Sequence, residues 1–287
     1  MPGVTDRVIA ITGAGGGLGR EYALLLAKEG ALVVVNDLGG ARDGTGAGSS
    51  MADEVVREIR EAGGTAVANY DNIATEDGAA NLVRTAIDSF GAIHGVVNNA
   101  GILRDGSFGK MTADNWESVQ KVHLWGGYYV TRAAWPHFRE QNHGRIVMAS
   151  STSGLFGNFG QANYGAAKLG LVGLVNTLAI EGARANILAN AIAPMAATRM
   201  TEDIAPKELL DKLPPAHVAG VVGYLVSDEC QDTATVVVAG GGQVYRVQQF
   251  QNKGAVFATP PSIDEVGAQW SRITDMSGAE PGANPLG

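Results

Sequence analysis

Three polar side chains in one stretch of the sequence have the types and spacing to move a proton on or off an alcohol. Tyr164 and Lys168 are four residues apart, which places them on one face of a helix. A neighbouring ammonium favours phenolate, so we expect Lys168 to lower the pKa of Tyr164 from about 10 towards neutrality. A phenol tuned in this way is a general acid/base, and Ser151 is placed upstream to hydrogen-bond the same alcohol oxygen.

A Tyr-x-x-x-Lys pair by itself is usually an ordinary surface pair, so the chemical interpretation needs a second feature. Proton transfer at an alcohol carbon needs a hydride carrier, and the start of the chain predicts a site for one. Residues 7–12 form an apolar strand pattern, residues 13–19 are rich in glycine, and residues 20–29 follow a helical pattern. Glycines at such a turn let backbone amides approach a pyrophosphate at a helix N-terminus. This favours a dinucleotide site over a plain turn.

The second and third strand patterns each end in an acidic residue. Residues 31–36 are almost all apolar, as expected for a parallel strand buried on both faces, and Asp37 follows them. An acidic residue about 20 positions after the glycine turn accepts hydrogen bonds from ribose hydroxyls, and its charge repels the additional phosphate of NADP. We therefore predict NAD, with Arg42 as a nearby opposing feature. Asp71, after the strand pattern 65–70, is either an adenine contact or a turn former.

The composition limits the class of protein. The chain has 287 residues, of which 45% are apolar and 40 are glycine, enough for one large core. A single cysteine, Cys230, excludes an internal disulfide and favours a reducing compartment. A net charge of −8 argues against nucleic acid as a partner, and the histidines show no metal-ligand spacing. We find no run of about 18 apolar residues and no signal-peptide core, and therefore expect a cytoplasmic protein without membrane or metal.

Four motifs occur together in the order typical of one enzyme family. They are the glycine turn that begins at Thr12, the run Asn-Asn-Ala-Gly at 98–101, Ser151, and Tyr164-x-x-x-Lys168. With these motifs the chain resembles the short-chain dehydrogenase/reductase family. The resemblance implies an α/β fold with a doubly wound parallel sheet, Rossmann-type and three-layered, and makes Ser151, Tyr164 and Lys168 catalytic.

The same resemblance implies further assignments. It predicts the dehydrogenase domain at residues 1–242 and an extension at residues 243–287 that packs on the domain or on its dimer mate. It also predicts a homodimer. The implied cofactor-binding residues are Gly13, Gly17, Leu18, Gly19, Asp37, Asp71, Asn72, Asn99, Ala100, Tyr164, Lys168 and Thr198.

Longer runs resemble one branch of that family. Val-Val-Asn-Asp-Leu-Gly-Gly, Asn-Asn-Ala-Gly-Ile-Leu-Arg-Asp and Gly-Asn-Phe-Gly-Gln-Ala-Asn-Tyr are similar to the (3R)-hydroxyacyl-CoA dehydrogenase part of peroxisomal multifunctional enzyme type 2. This implies NAD-dependent oxidation of a (3R)-3-hydroxyacyl-CoA to the 3-ketoacyl-CoA, in β-oxidation of fatty or steroid side-chain acyl groups. Two alternatives stay open: a dehydrogenase or reductase of steroids or other secondary alcohols and ketones, and a non-catalytic dinucleotide-binding scaffold.

Two positions depart from the family pattern. Many members have a proton-relaying asparagine in a Val-Asn-Leu-x-Gly-like run, where this chain has His123. That histidine either supports a kinked helix, relays a proton, or is an ordinary core residue. In the family a glycine usually follows the proline after the sixth strand, whereas here Met195 follows Pro194. The assignment of Thr198 to the nicotinamide amide therefore depends on a shifted register.

Overall fold

The computed structural model describes residues 3–46, 48–197 and 206–284. The chain divides into two compact units, Met1–Tyr245 and Arg246–Gly287. The predicted domain boundary after residue 242, and the packing of the extension, stay predictions.

The chain contains an eight-stranded sheet, all of which except the last two residues of the final strand lies in the first unit. Its strands are β1 (Val8–Thr12), β2 (Leu32–Asn36), β3 (Thr65–Asn69), β4 (Gly95–Asn98), β5 (Gly144–Ala149), β6 (Ile187–Pro194), β7 (Val236–Gly240) and β8 (Gln243–Val247). The strand order is β3-β2-β1-β4-β5-β6-β7-β8, and neighbours from β3 to β7 run parallel. β8 follows β7 through Gly241 and Gly242, whose positive φ angles suit a tight hairpin. The predicted fold class is confirmed.

Helices cover both faces of this sheet. They are α1 (Gly17–Lys28), α2 (Ser50–Glu61), α3 (Glu76–Phe90), α4 (Ala113–Gln120), α5 (Gly126–Glu140), α6 (Thr152–Phe156), α7 (Ala162–Gly182), α8 (Lys207–Leu210) and α9 (Ala216–Leu225). α1 packs with α2 and α9, whereas α5 packs with α3 and α7. The sheet between these two groups makes the three layers that the alternating pattern predicts.

The register of the strands brings polar residues together at one edge. Thr12 lies opposite Asn36, and Asn36 lies opposite Asn69, so three adjacent strands end level with one another. The Asn36 side chain donates a hydrogen bond to that of Asn69 at 2.7 Å. The strand interiors are apolar and buried, so polar groups concentrate at the carboxyl ends, where open parallel sheets place ligands.

α7 is the long apolar helix of the structure. With the turn that follows it, through Ala185, it is long and apolar enough to cross a membrane, although the prediction from sequence found no such run. That prediction was too strong. The helix packs on β5, β6 and α6, and it carries the buried charged residue Lys168. A core helix packed against a sheet shows the same length and composition.

A charged cluster lies at the opposite, amino edge of the sheet. The rings of His94 and His143 are 5.9 Å apart. Arg7 bonds the Asp228 carboxylate at 2.5 Å, and the buried Arg145 donates to backbone carbonyls. Burial, followed by the Arg145 and Arg7 charges, lowers the pKa of His143 to about 4. The fold therefore favours a neutral imidazole at this edge.

The second unit is small and mostly exposed. It contains β9 (Phe250–Gln251), α10 (Ile263–Ala268), α11 (Trp270–Thr274) and β10 (Glu280–Pro281), with β9 and β10 antiparallel. α10 begins with a capping box, in which the Ser262 hydroxyl accepts from the Glu265 amide and the Glu265 carboxylate accepts from the Ser262 amide.

Candidate active site

The glycine turn after β1 has no room for a side chain at Gly13 or Gly19. Gly13 and Gly17 have φ angles of 64° and 52°, in the region that favours glycine. A Cβ at Gly19 would lie 2.3 Å from the Gly13 carbonyl oxygen, and a Cβ at Gly13 would lie 2.8 Å from the Ala100 Cα. α1 begins at Gly17, so its unpaired N-terminal amides lie in this turn. The turn therefore fits the pyrophosphate of a dinucleotide.

Thr12 joins the glycine turn to the loop that follows β4. Its hydroxyl accepts hydrogen bonds from the amides of Asn99 and Ala100, each at 3.0 Å. The Asn99 side chain donates to the carbonyls of Thr12 and Gly13 at 3.0 and 3.2 Å. The sequence pattern marked Thr12 only as the start of a motif. In the structure it fixes Asn99 and Ala100 relative to Gly13.

Both carboxylate oxygens of Asp37 are held at the end of β2. Oδ2 accepts from the Gly15 amide at 2.8 Å, and Oδ1 accepts from the Gly39 amide at 2.7 Å. Each oxygen keeps a second lone pair for another donor. Asp37 is therefore a fixed acceptor beside the glycine turn, as ribose hydroxyls require.

Asp71 and Asn72 follow β3, and their side chains form different kinds of hydrogen bond. The Asp71 carboxylate accepts from the side chains of Asn69 and Asn81 at 2.8 and 3.0 Å. The Asn72 side chain accepts from the Ala74 amide at 3.0 Å, which is a local turn contact. Asp71 is thus held by side chains at the cleft, and Asn72 forms the turn before α3.

A cleft of about 380 Å³ runs along this edge of the sheet. The predicted cofactor residues that line it are Gly13, Gly17, Leu18, Asp37, Asp71, Asn72, Asn99 and Ala100. Gly19 lies behind the turn, and Tyr164 and Lys168 are absent from the described residues that line the cleft. Tyr164 instead packs against a small buried cluster that includes Ile102, and Ile102 does line the cleft. Thr198 lies outside the described residues.

The insertion between β2 and α2 forms part of the same wall. Leu103 donates its amide to the Arg42 carbonyl at 3.1 Å, and the Arg104 guanidinium donates to the Asp43 carbonyl at 3.0 Å. Arg42 itself lines the cleft. The insertion therefore reaches the loop after β4 from the far side of the cofactor cleft.

Ser151 and Tyr164 are brought together by the turn between β5 and α7. Ser151 is the N-cap of α6, where its hydroxyl accepts from the Ser153 amide at 3.2 Å. Burial raises the pKa of Tyr164, and hydrogen bonding with the Ser151 hydroxyl opposes this by lowering it. The two hydroxyls are therefore close enough to influence one another, and their joint hold on one alcohol oxygen stays a prediction.

Lys168 is buried one helical turn after Tyr164. Its Nζ lies 5.4 Å from the centre of the Tyr164 ring and donates to the Ala149 carbonyl at 2.5 Å. Burial lowers the pKa of Lys168 to about 7. The expectation that Lys168 lowers the pKa of Tyr164 is wrong for this structure. The reason is burial, which disfavours the charged form of both groups.

Asn163 positions the start of α7, and the sequence analysis gave it no role. It is fully buried, and its amide group donates to the carbonyls of Arg104 and Asn115 at 3.0 and 3.1 Å. Its side-chain oxygen accepts from the Tyr164 amide at 2.8 Å. Asn163 thus ties the residue that carries the phenol to two other segments. Its only sequence signal is its place directly before Tyr164.

Comparison with known proteins gives matches in one enzyme family. The profile of the short chain dehydrogenase family matches residues 7–209. A short-chain type dehydrogenase/reductase of Mycobacterium tuberculosis is 71% identical over 280 residues, covering 98% of each chain. Peroxisomal multifunctional enzyme type 2 of Mus musculus is 51% identical over 276 residues, covering 95% of this chain and 37% of the mouse enzyme.

A solved structure extends the comparison to the fold. Full-length peroxisomal multifunctional enzyme type 2 from Drosophila melanogaster matches with a TM-score of 0.83 at 43% identity, covering 98% of this chain and 48% of that chain. The chain spans less than half of the length of either multifunctional enzyme.

Proposed function

The chain belongs to the short-chain dehydrogenase/reductase family and is an oxidoreductase, and on that premise we propose that it oxidises a (3R)-3-hydroxyacyl-CoA to the 3-ketoacyl-CoA with NAD. The observation that carries the chemistry is the Ser151 and Tyr164 hydroxyl pair with the buried Lys168 beside it. The acyl-CoA assignment is supported by the motif runs and by the 51% identity to a multifunctional enzyme, which extends over 95% of this chain. The pathway we propose is β-oxidation of fatty or steroid side-chain acyl groups.

The proposed reaction assigns one role to each of the three side chains. Ser151 donates a hydrogen bond to the substrate oxygen and fixes its position. Tyr164, as phenolate, accepts the hydroxyl proton while the carbon–oxygen double bond forms, and the hydride leaves carbon 3 with its electron pair. Lys168, buried beside the Tyr164 ring, holds the nicotinamide ribose. Much of the acceleration comes from this fixed geometry.

NAD, when bound, supplies the hydride acceptor for this chemistry. The residues that would hold it are those of the glycine turn for the pyrophosphate and Asp37 for the adenosine ribose. The turn fits because a Cβ at Gly13 or Gly19 would collide with neighbouring backbone. The fixed carboxylate of Asp37 favours NAD over NADP, because it would repel a phosphate on the ribose. Arg42, which also lines the cleft, is the feature that opposes this preference.

We further infer a homodimer formed through α5 and α7. A groove of about 630 Å³ lies at these helices. Its lining includes the aromatic and apolar side chains of Tyr128, Trp135, Leu174 and Leu178, together with the charged residues Glu76, Arg132 and Glu181. On the same helices Ile180 is 76% exposed and Tyr128 is 42% exposed. An apolar face of this kind suits a second copy of the chain. Sedimentation equilibrium would give the mass of a monomer if this inference is wrong.

Steady-state kinetics test the proposed function. The rates compared are those with NAD and with NADP, each with a (3R)-3-hydroxyacyl-CoA and with a 17β-hydroxysteroid. We expect kcat/KM to be highest for the pair of NAD and acyl-CoA. A higher kcat/KM for the steroid would replace the acyl-CoA assignment with a steroid dehydrogenase. Binding of NAD without turnover of any alcohol would instead indicate a dinucleotide-binding scaffold.

A further inference from the structure

His123 lies at the junction of α4 and α5, in a π-helical turn over Lys121–Trp125. A π turn holds one residue more than an α turn and often occurs at functional sites. The His123 side chain is only 3% exposed, whereas Lys121 and Trp125 are exposed. The distorted turn therefore directs His123 to the interior, behind the cofactor cleft.

The imidazole of His123 is hydrogen-bonded to the backbone of Ile102. Its Nε2 lies 3.0 Å from the Ile102 amide nitrogen and 2.9 Å from the Ile102 carbonyl oxygen. Burial, and then the charge of Lys168, keep the pKa of His123 well below its ordinary value, so the ring is neutral. A neutral Nε2 either accepts from the amide or donates to the carbonyl, depending on the tautomer. Both tautomers hold the same segment of the cleft wall.

The same ring occupies the space where residue 101 would carry a side chain. A Cβ at Gly101 would lie 2.3 Å from the His123 Cε1 and 3.1 Å from both ring nitrogens. Real Cβ contacts are never this short, so Gly101 and His123 fit only as a pair. The glycine is required here by close approach.

Tyr164 also contacts the His123 ring. The two ring centroids are 5.1 Å apart and the planes meet at 88°, which is a favourable edge-to-face arrangement. The Nδ1 of His123 is buried without a hydrogen-bond partner among the described residues. Such an atom destabilises the fold, and a phenylalanine would fill the space without it. The hydrogen bonding of Nε2 to the Ile102 backbone therefore explains why a histidine, and not a phenylalanine, occupies this position.

We propose that His123 is a positioning residue for the oxidation. It aligns the Tyr164 phenol with the cleft by hydrogen bonding to the Ile102 backbone and by packing against Gly101. The proposal rests on the proposed function only in that Tyr164 transfers the proton. It does not depend on which secondary alcohol is the substrate.

Two substitutions separate the contacts of His123. His123→Phe keeps an aromatic ring against Tyr164 and removes the bonds to Ile102. His123→Gln keeps a group that both donates and accepts but removes the ring. Since misplacement of reacting groups by about 1 Å costs up to about 100-fold, we expect His123→Phe to lower kcat by about 10- to 100-fold, with KM changed less than about threefold. His123→Gln should retain more of kcat than His123→Phe does. A wild-type kcat in His123→Phe would overturn the proposal.

A double-mutant cycle keeps the test decisive if either variant is poorly folded. Gly101→Ala forces the methyl group against the His123 ring, and we expect a loss of kcat of about tenfold. Adding His123→Asn makes room for the methyl group, so the double variant should be no less active than His123→Asn alone. If the losses in kcat of the two single variants simply add in the double variant, the proposed contact between Gly101 and His123 is contradicted. Gly109→Ala is the matched control, because a Cβ there meets no atom within 4 Å.

The substrate is chosen so that a failure of the proposed function can be distinguished from a failure of the role proposed for His123. The cycle uses whichever secondary alcohol the wild-type protein oxidises with NAD. If acyl-CoA is not oxidised but a steroid is, the proposed function is wrong and the role of His123 is still measured. Thermal melting of the same four proteins gives the coupling between Gly101 and His123 without any substrate. Additive changes in Tm would also overturn the proposed contact.

Discussion

Lys168 Nζ lies 5.4 Å from the centre of the Tyr164 ring, and it donates its hydrogen bond to the Ala149 carbonyl at the end of β5. The ammonium is therefore beside the phenol without bonding it. Burial lowers the pKa of Lys168 to about 7 and raises the pKa of Tyr164. Burial is therefore the dominant influence on the acid/base behaviour of both residues.

Substitution of Tyr164 by phenylalanine tests the proton acceptor. Tyr164→Phe retains the ring contact with His123 and the packing against the buried cluster that includes Ile102, so folding should be unchanged. Loss of the hydroxyl should lower kcat by about 1,000-fold or more, while the Kd of NADH stays within about threefold. Single-turnover kinetics and NADH fluorescence measure the two quantities. An unchanged kcat would remove Tyr164 from the mechanism.

Substitution of Lys168 by methionine should separate stability from activity. The pKa of Lys168 is 10.5 in an unfolded chain and about 7 in the fold, so the unfolded state binds more protons between these values. The free energy of unfolding therefore rises with pH through this window, and Lys168 destabilises the fold at neutral pH. We expect Lys168→Met to raise Tm by about 3 to 6 °C near neutrality and to abolish turnover.

The pH dependence provides the control for the lysine variant. The difference in Tm between wild type and Lys168→Met should shrink as pH rises from about 7 towards 10.5, because the buried amine becomes neutral in both states. Loss of the bond to the Ala149 carbonyl offsets part of the gain at every pH. A Tm difference that grows with pH would contradict this account of Lys168.

Gly19 tests the cofactor turn independently of the catalytic residues. A Cβ at this position would lie 2.3 Å from the Gly13 carbonyl oxygen and 2.7 Å from the Asn99 side chain. Gly19→Ala must therefore displace the turn, and we expect the KM for NAD to rise by about tenfold or more. Gly220→Ala in α9 is the matched control, since its Cβ meets open space. That control should keep wild-type kinetics and be stabilised by about 0.5 to 1 kcal/mol.

The amino edge of the sheet should make the protein sensitive to acid. The pKa of His143 is 6.5 when unfolded and about 4 in the fold, and burial also lowers the pKa of His94. As pH falls from 6.5 to about 4 the unfolded state binds more protons, so the free energy of unfolding decreases. We expect His143 to contribute about 1 to 3 kcal/mol of this loss. Urea unfolding should show that His143→Gln loses less free energy of unfolding than the wild type across the same pH range. An identical dependence on pH in the two proteins would contradict this role of His143.

The strands and the glycine turn were predictable because their signals are local. The apolar run that ends at Asn36 predicts a strand buried on both faces, and the structure places β2 there, between β1 and β3. The predicted positions of Ser151, Tyr164 and Lys168 also follow from a strand end and a helical spacing. These inferences need only neighbours along the chain.

Other parts of the site depend on contacts between distant segments. The partners of Asn163 are the carbonyls of Arg104 and Asn115, which are 59 and 48 residues away. The fit of His123 against Gly101 is equally non-local, and the sequence left its role open. The direction of the Tyr164 pKa was missed for a related reason: spacing gives proximity to an ammonium, but burial is set by the whole fold.

The most direct test of the proposed function is the stereochemistry of the reaction. Purified protein and NAD are mixed with the (3R) or the (3S) enantiomer of one 3-hydroxyacyl-CoA, and NADH absorbance is followed. The account predicts NADH formation with the (3R) enantiomer alone, and none in Tyr164→Phe. Equal rates with both enantiomers, or turnover of the (3S) form only, would contradict the assignment to (3R)-3-hydroxyacyl-CoA.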